Sequence, residues 1–518
     1  MKSRLNAVAV NTTIGIIQKI ITVIANLAIQ IIFVRTLGKQ YAGISSLFTS
    51  VLTVLSFAEL GIGTAITYNL YKPIAEKNTA RIGAYMNFYS AAYKIVALVV
   101  LAAGIICCPL LPYIVKSVPD IKENILIIYL LFVADTAVSY LMIYKATFLN
   151  ACQENYISSI VHTAVIIVKV IAIAILLILW KNYYAYLIVT VILTLLQNLI
   201  ISCIANKKYP FLKQMRKYRL SKEEKKHVYK DVYAMSLYKV SGTVLNGTDN
   251  IIISGGLGTS YVGLMSNYNL IIRQVYDVII QFFSSATSSI GNLSTENNVD
   301  YEHCIFETLN FISFWIFAFS AISVFVIANP FIELCFGSQY VCTLAVLAVL
   351  VIDLYVKGMM NPVSAFRTSH GLFVQGKYRP LIMAIINIVL SLILLKYFGL
   401  IGVFLATVIS RIVTQVWFDP YIVYKHVFKK SPFIYFKKYI KWTLTALLCA
   451  AVTFLLAEAL PFKSSLLLTI VMRIILCIAV PNVMIFLIYK KTYEFRKTME
   501  FGQSILKKIK SKIKMKGA

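Results

Sequence analysis

The sequence predicts an all-α integral membrane protein of about fourteen transmembrane helices, arranged as two pseudo-symmetric six-helix lobes plus two C-terminal helices. Three observations carry that expectation. The chain is 59% hydrophobic and only 14% charged over 518 residues, with a mean hydropathy of +0.78. Apolar runs of about 20 residues recur along it, the length that crosses the ~30 Å hydrocarbon core of a bilayer. Finally, LGKQYAGISSLF at 37–48 recurs as LGTSYVGLMSNY at 257–268, 220 residues later. Nine of the thirty positions aligned between 19–48 and 239–268 are identical, including Lys19/Lys239 and Asn26/Asn246. Apolar identities arise easily in such a sequence; paired Lys and Asn do not, so the phrase marks an internal repeat.

The spans fall near 8–34, 41–70, 88–111, 124–149, 157–180, 183–205, 236–256, 261–290, 305–328, 340–366, 380–398, 400–418, 440–458 and 466–489. The basic start, MKSRLNAVAV, leads into an apolar stretch that carries Lys19, Asn26 and Gln30 and has no small-residue cleavage site. It reads as a retained first helix rather than a signal peptide. The nine cysteines form no CxxC and lie mostly inside spans, so neither a disulfide framework nor a zinc site is expected. No catalytic motif, metal or cofactor is expected either.

The formal charge of +29 by itself suits a nucleic-acid binder, but its distribution points to a membrane. With residues near span ends counted with the adjoining loop, 35 basic residues fall in inner segments, seven in outer loops and eight within spans when both termini are inside. Cytoplasmic loops carry the Lys and Arg excess, which places both termini in the cytoplasm. One inner loop departs from the pattern: 293–307 holds Glu296, Asp300, Glu302 and Glu307 and no Lys or Arg.

The inner segment 206–235 carries ten basic residues and divides the chain. Residues 1–205 form the expected N-terminal lobe, 236–430 the C-terminal lobe, 431–489 two extra helices and 490–518 a basic cytoplasmic tail. Six spans is an even number, so both lobes insert in the same sense, as parallel repeats about an axis along the membrane normal. The repeated phrase is then the outer turn between the first two helices of each lobe. Its glycines suit a tight turn and close helix approach.

Eight cations (Lys19, Lys94, Lys169, Lys239, Arg273, Lys357, Arg411, Arg473) and five acids (Glu59, Asp135, Asp249, Asp277, Asp353) lie within spans. Facing lipid, at roughly 3 kcal/mol each, they would cost about 40 kcal/mol. Snorkelling reduces that figure, yet half of it still exceeds a folding free energy of ~5–15 kcal/mol. Most therefore face a polar interior. In the first span Thr12, Gly15, Lys19, Thr22, Asn26 and Gln30 share one helix face. Lys239, Asn246 and Asn250 repeat the stripe in the seventh, and Asn269, Arg273, Tyr276, Asp277 and Ser284 form another in the eighth. The expected substrate cations are Arg273, Lys19, Lys169, Lys239, Lys357 and Arg411, with Asn26, Gln30, Asn246, Asn250, Asn269 and Tyr276 as polar lining. Glu59, Asp135, Asp249, Asp277 and Asp353 either bind a coupling ion or balance these cations. Arg273/Asp277 and Asp353/Lys357 are each four apart, so each pair also suits simple self-neutralisation. Lys94 suits snorkelling and Arg473 packing or headgroup contact. GLFVQGKY at 371–378 mimics a phosphate-binding loop, but Tyr378 replaces the Ser/Thr and no strand precedes it. The tail suits a topogenic segment that also touches anionic lipid.

Three stretches, FVRTLGKQYAGISSLFTSVLTVLSFAELGIGTAITYNLYKPIAE (33–76), TDNIIISGGLGTSYVGLMSNYNLI (248–271) and GLFVQGKYRPLIMAIINIVLSLILLKYFGLIGVFLATVIS (371–410), resemble the Wzx-type polysaccharide flippases. These belong to the multidrug/oligosaccharidyl-lipid/polysaccharide (MOP) exporter superfamily, and the likeness spans nearly the whole chain. It implies a V-shaped, two-lobed transporter like the MATE proteins. Such a protein moves undecaprenyl-diphosphate-linked oligosaccharide outward across a bacterial plasma membrane by alternating access around a cationic cavity. The Lys- and Tyr-rich composition looks most like the capsule or exopolysaccharide members of Gram-positive bacteria. Implied partners are a polyprenyl-diphosphate-linked glycan and membrane lipids, with a polysaccharide polymerase and glycosyltransferases acting around it, and no nucleic acid. The superfamily has no invariant catalytic motif, so the cation set rests on spacing alone.

Three other readings compete. A lipid-linked peptidoglycan precursor flippase shares the same chemistry. A MATE-type multidrug antiporter favours an acidic cavity, whereas here eight basic residues face five acidic ones. A membrane glycosyltransferase or sugar polymerase needs a sizeable outer loop with acid/base residues, and no outer loop exceeds about 15 residues.

Overall fold

The structure, a computed structural model, describes residues 2–59, 62–115, 121–152, 154–293, 298–370, 378–460 and 465–500, with Leu372, Gln375, Gly376 and Gln503. Within these, the side chains of 2–13, 16, 57–58, 64–66, 68, 231, 234–246, 282 and 284–293 lie outside the description. The described residues are helical almost throughout and contain no strand. A chain in hydrocarbon must satisfy every backbone N–H and C=O internally, which a helix does. Eleven helices among the described residues are long and apolar enough to cross a bilayer. The described residues of the other three expected spans, 41–70, 236–256 and 261–290, are also helical.

The first compact unit is Met1–Asn267. It holds α1 (Lys2–Leu37), α2 (Lys39–Leu55), α3 (Ile62–Ala75), α4 (Thr79–Ile106), α5 (Leu111–Ile114), α6 (Ile125–Tyr140), α7 (Ile143–Ala151), α8 (Asn155–Ile175), α9 (Tyr183–Lys208), α10 (Lys222–Leu257) and the start of α11 (Thr259–Leu293). The second unit, Tyr268–Ala518, holds the rest of α11 and α12 (Val299–Phe336), α13 (Leu344–Met359), α14 (Asn361–Ser369), α15 (Arg379–Phe398), α16 (Leu400–Arg411), α17 (Trp417–Val423), α18 (Phe433–Glu458) and α19 (Leu466–Tyr489).

Side-chain caps fix many helix starts. Asn78, Asn124, Asn182, Asn298, Thr343 and Ser465 each accept an amide N–H from the first turn that follows, satisfying donors that the helix leaves open. Ser221 and Glu224 form a capping box at the start of α10. Breaks matter as much as caps. A 3₁₀ turn at Ser56–Glu59 interrupts the second span, Met142 at φ 66 separates α6 from α7, and α13 gives way to α14 at Met360.

The repeat keeps its register in three dimensions. α1 ends at Leu37 and α10 at Leu257, while α2 begins at Lys39 and α11 at Thr259. The turn glycines take matching positive φ values, 92 for Gly38 and 102 for Gly258, a conformation that costs a Cβ-bearing residue. The two turns also meet. A Cβ on Gly43 would lie 2.0 Å from the Thr259 carbonyl oxygen, and one on Gly263 would lie 2.0 Å from that of Lys39. These are the same contact read from each copy. Hydrogen bonds repeat it: Gln30 Nε2 donates to Ser266 Oγ at 3.3 Å, and its counterpart Asn250 donates to Ser46 Oγ at 3.3 Å. Reciprocity of this kind is the mark of a two-fold relation. It also explains why residues 236–267 pack with the first unit.

The basic segment after α9 is folded onto its unit. Leu212, Met215, Leu220 and Val228 are buried in the cluster that holds Met86 and Phe148. Tyr218 lies flat against Gly83, where a Cβ would come within 2.7 Å of its ring, and Asn87 Nδ2 donates to the Tyr218 carbonyl at 2.9 Å. The Ser221 backbone N–H, with Arg81 beside it, holds the Glu224 carboxyl below its ordinary range.

The acidic residues of 298–307 find partners within the second unit. Asp300 pairs with Lys430 at 2.8 Å and Glu307 with Lys438, while Glu302 lies 3.2 Å from a ring nitrogen of His370. Lys438 also holds Glu494 at 2.7 Å. Lysines therefore neutralise Asp300 and Glu307.

Candidate substrate site

The predicted charges of the second unit gather on α11, α13 and α16. Asp353 does not pair with Lys357, its neighbour one turn on. It takes Arg411, with Nε to Oδ1 at 2.9 Å and Nη2 to Oδ2 at 3.5 Å, and Arg411 Nη1 also reaches Gln415. A forked, two-point contact is stronger than a single one and holds the guanidinium in place. Lys357 is left to lie over the ring of Tyr276, 4.0 Å from its centroid, a cation–π arrangement. The Tyr276 hydroxyl donates to Asn361 Oδ1 at 3.1 Å. Lys357 lies within electrostatic reach of Arg411, Asp353, Asp277 and Arg273. Arg273 is exposed and makes no ion pair with Asp277; Asn269 is half-buried on the same helix. The net charge of Arg273, Lys357, Arg411, Asp277 and Asp353 is +1.

In the first unit the predicted residues take different parts. Lys169 lies within electrostatic reach of Asp135. Lys19, Asn26, Glu59 and Asp249 are half-buried, and Lys19, Glu59 and Asp249 each have an interaction partner. Gln30 donates to Asn267 Oδ1 at 2.7 Å besides Ser266, and Asn250 to Ser50 Oγ at 2.9 Å besides Ser46. Both amides therefore tie helices of the repeat together. Lys239 and Asn246 lie outside the described side chains, as does Ser284. Lys94 is exposed, and Arg473 packs structurally, on Glu458 at 2.7 Å and the Val326 carbonyl at 2.8 Å.

Two residues were absent from the sequence-derived set. Lys145 is 7% exposed and donates to Ser202 Oγ at 2.6 Å, just beyond the α6–α7 break, whose carbonyls at Val138 and Ser139 accept from Asn198. Asn361 stands at the α13–α14 break. The dipeptide Asn361-Pro362 inside an apolar run was its signal, since Asn-Pro favours a turn. Among the described residues of the 371–378 loop, the carbonyls of Leu372 and Gln375 accept from Arg367, which also pairs with Asp419 at 2.6 Å, so carbonyl oxygens face a cation where a phosphate cradle would offer N–H groups.

The helices and their breaks define a multi-pass membrane protein. No family profile matches the chain, and neither does any curated protein sequence. Solved structures match over three quarters of the chain or more. The lipid II flippase MurJ, in an inward closed conformation, superposes with a TM-score of 0.69 at 15% identity, over 92% of this chain and 98% of that one. An inward-facing multidrug resistance MATE transporter of the MOP superfamily gives 0.57 at 16% identity, over 75% and 91%. A MOP superfamily transporter from Pyrococcus furiosus, described as having a binding pocket of reversed polarity, gives 0.54 at 16% identity, over 82% and 96%. The chain has the fold of the MOP-superfamily transporters.

Proposed function

We propose that the protein is a flippase that carries undecaprenyl-diphosphate-linked oligosaccharide units from the inner to the outer leaflet of a bacterial plasma membrane, for capsule or exopolysaccharide synthesis. The observation that carries this reading is the polar cluster of Lys357, Tyr276, Asn361 and Arg273 on spanning helices of a transporter fold. It is rich in donors and carries net positive charge, which suits a diphosphate. A cation exporter needs the opposite sign. Glycosyltransferases would supply the lipid-linked glycan and a polymerase would consume it; the protein itself makes and breaks no covalent bond.

One observation favours a second reading, transport of a lipid-linked peptidoglycan precursor: the likeness to MurJ covers 92% of this chain, against 75% for the MATE transporter. Depletion in the native cell distinguishes the two. Loss of surface polysaccharide, with its lipid-linked repeat unit trapped in the inner leaflet and cell-wall synthesis intact, is the expected result. Arrest of wall synthesis with accumulated peptidoglycan precursor would replace the first reading by the second.

A further inference from the structure

The break between α13 and α14 leaves its two ends in different states. On the carbonyl side the Gly358 oxygen accepts from the buried hydroxyl of Ser313 at 3.0 Å. On the amide side stands the first turn of α14, a nine-residue helix with Pro362 in that turn. The first N–H groups of a helix lack intrahelical partners and carry the positive end of its dipole. Asn361, at the head of that turn, is 8% exposed. Its Oδ1 is taken by the Tyr276 hydroxyl, and its Nδ2 has no hydrogen-bond partner among the described residues. A buried donor without a partner costs about 1–3 kcal/mol. Such groups are rare in native interiors unless they serve something.

One turn before Asn361, Lys357 Nζ rests on the Tyr276 ring and makes no ion pair among the described residues. Its nearest acid in sequence, Asp353, is engaged by Arg411. Tyr276 thus holds both groups at once, the lysine by its ring and the amide by its hydroxyl. The ends of spanning helices that break at depth are where anionic groups bind, because the dipole and the free N–H groups point the same way.

We infer that the α13–α14 break is an oxyanion site for phosphate, with Lys357 Nζ, Asn361 Nδ2 and the amide end of α14 as donors and Tyr276 as the residue that orients the two side chains. This deepens the flippase reading and rests on it for the identity of the ligand, the diphosphate of the lipid-linked glycan. The groups offered are donors, so the site takes a multiply charged oxyanion and rejects an ammonium.

The test is a titration of the purified full-length protein in lipid nanodiscs with inorganic pyrophosphate, followed by isothermal calorimetry. The wild type should bind. Asn361→Asp keeps the acceptor for Tyr276 and replaces the amide donor by a negative oxygen; it should weaken binding by about tenfold or more. Lys357→Gln should do likewise, and Tyr276→Phe, which keeps the ring but frees the amide, should weaken it by about two- to fivefold. If Asn361→Asp does not fold, the other two variants decide the matter. No binding by the folded wild type, or equal binding by wild type, Lys357→Gln and Tyr276→Phe, overturns the inference. So does glucuronate competing as well as pyrophosphate, which would make this a carboxylate site. Loss of pyrophosphate binding in the variants, with glycan export unchanged both in them and on depletion of the protein, would support the site and refute the flippase reading. Unchanged binding in a protein that does export glycan would do the reverse.

Discussion

At the scale of single residues, equal charges do unequal work. Arg411 is clamped by Asp353, and their side chains are 13% and 26% exposed. Removing one partner leaves a partly buried charge, so Asp353→Ala should destabilise the purified protein by about 1–3 kcal/mol in thermal unfolding. Arg273 is exposed and makes no such pair, so Arg273→Ala should change stability by only about 0.5 kcal/mol. Its effect should fall on transport instead: export of glycan is expected to drop sharply at unchanged membrane abundance. Arg273→Lys should recover part of it, because an ammonium cannot grip a phosphate at two points. Since Arg273 and Asp277 make no ion pair, adding Asp277→Ala should not restore export. Full export by the double variant would remove Arg273 from the site.

Elements are held by contacts that a residue-by-residue reading does not price. Beside the Gly38 and Gly258 turns, backbone meets backbone where Gly43 and Gly263 stand, and neither side can yield as a flexible side chain would. Gly43→Ala should therefore cost about 1–3 kcal/mol by overpacking. Gly255, in the same repeat, has nothing within 4 Å of an added Cβ, so Gly255→Ala should stabilise α10 by about 0.5–1 kcal/mol. Thermal unfolding of the two variants side by side checks the contrast. At the inner end, burial pushes the Glu494 carboxyl up, but its hydrogen bond and charge contact with Lys438 outweigh that and hold it below the usual range. A depressed acid stabilises above its unfolded pKa of about 4.3 and loses that contribution as pH falls through the folded value. Unfolding scans of wild type and Glu494→Gln should thus differ at neutral pH and converge as the pH falls below the ordinary carboxylate range.

For the whole molecule, the distribution of positive charge sets the direction of insertion. Residues 206–235 and both termini should be cytoplasmic. A single cysteine at Lys213 should resist an impermeant thiol reagent in intact cells, whereas one at Lys122 should react; the opposite pattern would invert the topology. The acidic loop at 293–307 is compatible with this orientation because Lys430 and Lys438, from segments also expected inside, neutralise Asp300 and Glu307.

Spans, the repeat and its turn glycines were legible in the sequence, because each depends on local quantities. A run of apolar side chains fixes a helix in hydrocarbon whatever its neighbours are, and Gly38 and Gly258 mark turns through their own backbone freedom. The Asn361-Pro362 break was not read: it lies inside 340–366, which its apolar run predicts as one continuous span. Which charges would meet was not legible. Spacing offered Lys357 to Asp353 and Arg273 to Asp277, both one helical turn apart; the fold brought Arg411 to Asp353 across helices and laid Lys357 on Tyr276 instead. Spacing likewise assigned Gln30 and Asn250 to a polar lining, and packing turned them into ties between the two copies of the repeat. The reason is geometric. Periodicity says which face of a helix a residue occupies, but its partner is chosen by the helix packed there, often more than fifty residues away in the chain, as from Asp353 to Arg411.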